Sequence, residues 1–161
     1  MKGHLFWIAV WIGLVIAGYL VTERMMAPPP VVRSLGEGRQ ELVIPVSRDG
    51  HFYLDGAVNG VPLRFMVDTG ATYVAVDARF ARSAGLPEGL PGYFSTANGT
   101  VEGRLVRNQT VKAGVFELSG LTVAVMPARD GEGLLGQNFL SRLDVTQTEG
   151  TLRLRMRQQK P

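Results

Sequence analysis

The residues best suited to chemistry in this chain are Asp68, Thr69 and Gly70, which follow the apolar run Val61–Val67 (VPLRFMV). An unpaired carboxylate inside a core is costly, so Asp68 must be exposed in a cleft, paired, or protonated. Thr69 sets a hydroxyl beside it, and Gly70 lets the backbone come close and donate its N–H. Those are the parts needed to hold a carboxylate coplanar with a partner. The competing reading is a plain exit from strand to turn, where Asp, Thr and Gly are all common.

Other chemistries have less to work with. The chain contains no cysteine, which removes disulfides, thiolate nucleophiles and cysteine metal sites. Its two histidines, His4 and His51, lie in different regions, which argues against a Ser–His–Asp triad or a histidine metal site. Asp130-Gly131-Glu132-Gly133 lacks the spaced ligands of a calcium loop and reads as a loop. No metal and no cofactor is expected. The net charge of +3 is thinly spread: past Arg33, 14 Lys/Arg stand against 13 Asp/Glu, which gives nucleic-acid binding no support.

The elements that must position Asp68 read as strands. Twenty Gly and nine Pro in 161 residues imply many turns, and hydrophobic residues at 45% against charged ones at 19% imply a globular chain. Glu41–Ser47 is apolar-rich, with Pro45 suited to an edge. Arg48-Asp49-Gly50 makes a turn, and His51–Val58 and Val61–Val67 form a hairpin through Asn59-Gly60. Ala71–Val76 follows, then a short helix over Asp77–Ala84 ended by Gly85. Tyr93–Arg104 reads as a hairpin whose turn is Asn98-Gly99. Two further strand pairs come next, around Gln109–Leu118 and Leu121–Met126, then a helical turn or two over Phe139–Leu143. Thr151–Arg157 (TLRLRMR) closes the chain as a strand with Leu152, Leu154 and Met156 on one face and three arginines on a solvated one. Tyr73 and Phe94 either line a cleft or fill the core.

Residues 5–21 (LFWIAVWIGLVIAGYLV) carry no charge, a length at the lower edge of a membrane-spanning helix. The run has no polar face for a core helix and exceeds a usual signal-peptide core of about 7–15 residues. An uncleaved anchor over 1–22 is expected, with lipid bilayer contact through residues 5–21. Lys2 favours a cytoplasmic N-terminus and a domain outside the cytoplasm. Residues 23–40, with three consecutive prolines, form a semi-rigid linker, and 41–161 the domain.

An ordered set of motifs joins these elements: Asp68-Thr69-Gly70-Ala71 after an apolar strand, Thr96-Ala97-Asn98-Gly99 in a hairpin, and Leu134-Leu135-Gly136 ahead of Gln137-Asn138-Phe139-Leu140. The set resembles the retropepsin-like aspartic proteases, and within them the bacterial single-pass membrane members, from about Gly50 to Leu154. The resemblance implies an all-β, closed barrel with a flap hairpin and one short C-terminal helix, here preceded by a transmembrane helix. It implies a homodimer acting on polypeptide substrates, each subunit giving one Asp68. Thr69 matches the residue that braces the two active-site loops across the dimer, and Gly70 the glycine beneath the carboxylate. Ser95–Gly103 matches the flap, with Thr96, Ala97, Asn98 and Gly99 as flap and substrate-binding residues. Gly136 and Asn138 match a Gly-x-Asn before the final helix. Two departures weaken the expected dimer brace: Gln137 stands where retroviral enzymes carry arginine, and Thr72 and Tyr73 where they carry acidic residues.

The implied activity is aspartic endopeptidase, localised to a bacterial inner membrane. Two like carboxylates in one site cannot both ionise easily, so one keeps a proton while the other acts as general base on a water. The alternatives are a non-catalytic module that holds an extended peptide by strand addition, and a tethered structural dimer without substrate.

Overall fold

The structure, a computed structural model, describes residues 7–8, 10–18, 28–36, 38–96, 99–127 and 131–157. Residues 7, 8 and 10–18 are helical and exposed. Among the described residues no helix is long and apolar enough to cross a membrane. Residues 5, 6, 9 and 19–21 of the span expected over 5–21 lie outside the described set.

The rest is mainly strands in two sheets. Four strands, β1 (Val31–Ser34), β2 (Gln40–Pro45), β10 (Leu143–Thr148) and β11 (Thr151–Met156), form one sheet in the order β1-β2-β11-β10. β1 falls inside the stretch expected to be a spacer, because its Val31 and Val32 find ladder partners in Val43 and Leu42. Pro45 sits on an internal strand, yet β1 reaches only as far as Val43, so no ladder bond is lost on that side. Leu152 and Leu154 are buried as the alternation requires, whereas Met156 is 47% exposed. The expected arginine face is solvated at Arg155 and Arg157, yet it also serves a buried acid. Arg153 and Arg155 reach Glu41, which is only 2% exposed, with bonds of 3.0 and 2.8 Å.

The second sheet carries the site. It comprises β3 (Tyr53–Val58), β4 (Val61–Val67), β5 (Val74–Asp77), β6 (Leu90–Thr96), β7 (Gly99–Ala113), β8 (Phe116–Met126) and β9 (Gly133–Leu135) in the order β3-β4-β9-β5-β8-β7-β6. β3 also pairs with β7 through Gly56↔Ala113 to Val58↔Val111, joining the ends of the first six strands of that order. The Asn59-Gly60 turn forms with φ of 51° and 82°, the left-handed pair a two-residue hairpin requires. Asn59 also reaches across to the buried Gln109, its Nδ2 donating to Oε1 at 2.7 Å. β4 alternates Leu63 and Phe65 inward with Pro62 and Arg64 outward. In β5, Val74, Ala75 and Val76 are all buried, since β9 and β8 flank that strand.

At the expected Arg48-Asp49-Gly50 turn, Tyr53 Oη donates to Asp49 Oδ2 at 2.5 Å. That bond holds the Asp49 carboxyl below its usual range and pushes the Tyr53 phenol up to about 12. Two helices complete the domain, α1 (Ala78–Ser83) and α2 (Gln137–Leu140). Asp77 caps α1, accepting from Phe80 N at 2.6 Å, and Gly85 follows with φ 63°. The β7–β8 turn lies at Gly114, within the strand pair expected around Gln109–Leu118. Ser119-Gly120 forms a bulge in β8, offset by one at Arg107-Asn108 in β7.

Candidate active site

Asp68 emerges where β4 ends. Its N–H still donates to Leu135 O of β9 at 3.1 Å, so the neighbouring strand fixes the residue at the moment the chain leaves the sheet. β9 lies between β4 and β5, two strands consecutive in sequence, and the loop joining them (68–73) must cross over it. Gly136, directly after β9, makes that crossing possible. A Cβ there would stand 2.3 Å from Tyr73 O and 2.8 Å from Ala71 O, so only glycine fits.

The loop is then tied down by the segment it crosses. Gln137 N donates to Ala71 O at 2.8 Å and Asn138 N to Thr72 O at 3.0 Å. The Asn138 side chain accepts from Val74 N at 2.8 Å and donates to Thr122 O at 2.7 Å, joining β5 to β8. Gln137 Nε2 donates to Thr69 O at 2.9 Å. Phe139 and Leu140 of α2 are buried beneath, anchoring the staple in the core.

Asp68 is half-buried, and its Oδ1 accepts from Gly70 N at 2.9 Å. Its carboxyl faces a cleft of about 880 Å³ that it lines together with Gly70, Tyr73, Phe94, Thr96 and Leu134. Among the described lining residues Asp68 is the one carboxylate; Ala75, Leu105, Ala124 and Met126 supply apolar surface. Tyr73 and Phe94 both face this cleft and neither is fully buried, which resolves their two readings. Thr69 is exposed and engages Gln137 through its carbonyl.

Across the cleft, β6 and β7 form the expected hairpin, paired from Leu90↔Leu105 to Thr96↔Gly99. This register corrects the expected turn. Gly99, with φ 107°, opens β7 opposite Thr96, and the two residues between them, Ala97 and Asn98, lie outside the described set. Thr96 Oγ1 donates to Gly99 O at 2.8 Å. At the base of the hairpin two glycines, Gly92 and Gly103, pair directly, and the Phe94 ring lies over both. A Cβ on Gly103 would meet that ring at 3.0 Å and Val125 O at 2.6 Å. The glycine pair and the Gln137 side-chain bond escaped sequence reasoning; Gly-x-Phe in β6 facing Gly103 in β7 was the available signal.

The comparisons agree with this geometry. The family model described as "gag-polyprotein putative aspartyl protease" matches residues 54–142, more than half of the chain. An uncharacterized protein encoded 5′ of cobV in Sinorhizobium sp. is 34% identical over 126 residues, covering 75% of this chain and 53% of the relative. An uncharacterized protein of Rickettsia prowazekii (strain Madrid E) is 42% identical over 62 residues, covering 37% of this chain and 27% of its own. The chain thus spans about half the length, or less, of the curated relatives it matches. The crystal structure of a retropepsin-like aspartic protease from Rickettsia conorii superposes with a TM-score of 0.58 at 26% identity, covering 81% of this chain and 96% of that one. The strand-borne Asp68, the loop stapled over Gly136 and these matches lead to one conclusion: the chain belongs to the retropepsin-like aspartic protease family.

Proposed function

We propose that this chain is an aspartic endopeptidase whose active site is completed by a second copy of itself. The observation that carries the reading is Asp68, a lone carboxylate held by the Gly70 N–H in an otherwise neutral cleft. One Asp-Thr-Gly per chain supplies half of a two-carboxylate site. In the pair, the ionised aspartate takes a proton from a water lying between the two, and the protonated one polarises the scissile carbonyl. The tetrahedral intermediate collapses as a proton passes to the leaving amine, with no covalent enzyme adduct. The β6–β7 hairpin, with Thr96, Ala97, Asn98 and Gly99 at its end, serves as the flap that covers an extended peptide. A purely peptide-holding module on this fold has no use for a costly carboxylate at the cleft floor.

Asp68→Asn is expected to abolish cleavage of a denatured protein while leaving the melting temperature near that of the wild type, since an amide cannot act as the base. Equal cleavage by the purified Asn variant sinks the assignment.

The charge-free run over residues 5–21 supports tethering to a bacterial inner membrane, and Lys2 supports a domain outside the cytoplasm. A reporter fused after Pro161 should then be active on the outer side of that membrane. Activity confined to the cytoplasm overturns the orientation.

A further inference from the structure

The peptide unit between Thr69 and Gly70 is engaged at both ends. Its N–H, on Gly70, donates to Asp68 Oδ1 at 2.9 Å, and its carbonyl, on Thr69, accepts from Gln137 Nε2 at 2.9 Å. A hydrogen bond on an amide oxygen polarises the amide and strengthens its N–H as a donor. The same bond fixes the tilt of the peptide plane, and so the direction in which that N–H points. Gln137 does both while standing outside the cleft lining.

Its side chain is not needed to dock the segment. Gln137 N and Asn138 N already hold Ala71 O and Thr72 O, and Asn138 bridges Val74 to Thr122. The position is exposed, where a side chain usually adds little to stability. As a neutral amide it can donate to the Thr69 carbonyl without bringing a full charge towards the carboxylate.

We infer that Gln137 is a positioning residue for Asp68, acting through the Thr69–Gly70 peptide; this rests on reading Asp68 as the catalytic carboxylate. Among the described residues lining the cleft, the titratable groups that share it with Asp68 are the phenols of Tyr73 and Tyr93. No charged side chain of the same lining competes for control of the acidic limb of the pH profile, and the second copy's Asp68 is common to the wild type and both Gln137 variants.

The test compares the whole 161-residue chain in detergent micelles as wild type, Gln137→Met, Gln137→Lys and Asp68→Asn. Gln137→Met keeps the length and loses the donor. It should lower kcat about three- to tenfold, as loss of one hydrogen bond allows, with KM changed by less than about twofold. The acidic limb of its kcat profile should move to higher pH, because a weaker donor stabilises the ionised carboxylate less. The Gly70 amide proton resonance should move upfield. Gln137→Lys, which restores a donor, should regain most of kcat. The inference is overturned if Gln137→Met matches the wild type in kcat, pH profile and Gly70 resonance, or if Gln137→Lys is no better than Gln137→Met. It is also overturned if the lost activity merely tracks a lower folded fraction by circular dichroism. Wild type and Asp68→Asn distinguish the two levels. If they are equally inactive, the protease reading falls and this inference with it; if they differ and Gln137→Met does not, only this inference falls.

Discussion

Glu41 sits in β2 with both carboxylate oxygens taken by arginines of β11, Arg155 on Oε1 at 2.8 Å and Arg153 on Oε2 at 3.0 Å. Burial pushes its carboxyl up, but the bonds and charges of Arg155 and Arg153 outweigh this and hold it below its ordinary value of 4.5. The sign follows from the lowered value: the contribution is present above the unfolded pKa and is lost as pH falls through the folded one. Glu41→Gln should therefore lower the melting temperature at pH 7 by about 5–10 °C, since it leaves two arginines without their anion. The gap to the wild type should narrow when both are melted at pH 3. A gap that is unchanged or wider at pH 3 refutes the linkage. The pair was not legible beforehand, because alternating arginines in TLRLRMR look the same whether they face water or one buried acid.

At the scale of elements, the flap hairpin carries the sharpest expectation. Gly99 has φ 107° and nothing within 4 Å of where a Cβ would stand, so any penalty there comes from the backbone alone. Gly99→Val should strain the end of the hairpin, since a β-branched residue tolerates that region poorly. It should cut kcat/KM several-fold, yet shift the melting temperature by less than about 3 °C, as a hairpin end adds little core. Unfolding of the variant, or unchanged peptide cleavage, means that this hairpin is not the flap. β4 was readable to the residue because alternation and the Asn59-Gly60 turn bound it on one side and Asp68 on the other. β9 was not, since three residues carry no period and only the neighbouring strands make Gly133–Leu135 a strand. β10 was missed for a related reason: in LDVTQT only Leu143 is buried, so no alternation shows.

For the whole molecule, the proposed two-copy site, with one Asp-Thr-Gly from each chain, would make association a condition of activity. Specific activity should fall as the chain is diluted in detergent, and sedimentation should show the monomer fraction rising in parallel. A sedimenting monomer with full activity ends the two-copy model. The dimer should also be weaker than a retroviral one, with Gln137 engaged on its own subunit's Thr69. Confinement to a bilayer would offset that weakness by raising the local concentration of chains. The sheet β1-β2-β11-β10 has a further consequence, at the ribosome. Glu41 lies 112 and 114 residues from the arginines that neutralise it. At about 5–20 residues per second, it waits on the order of ten seconds for them to be synthesised. Until then β2 has no β11 to pair with and the acid no partner. The growing chain is thereby kept from completing this sheet until β11 has been made.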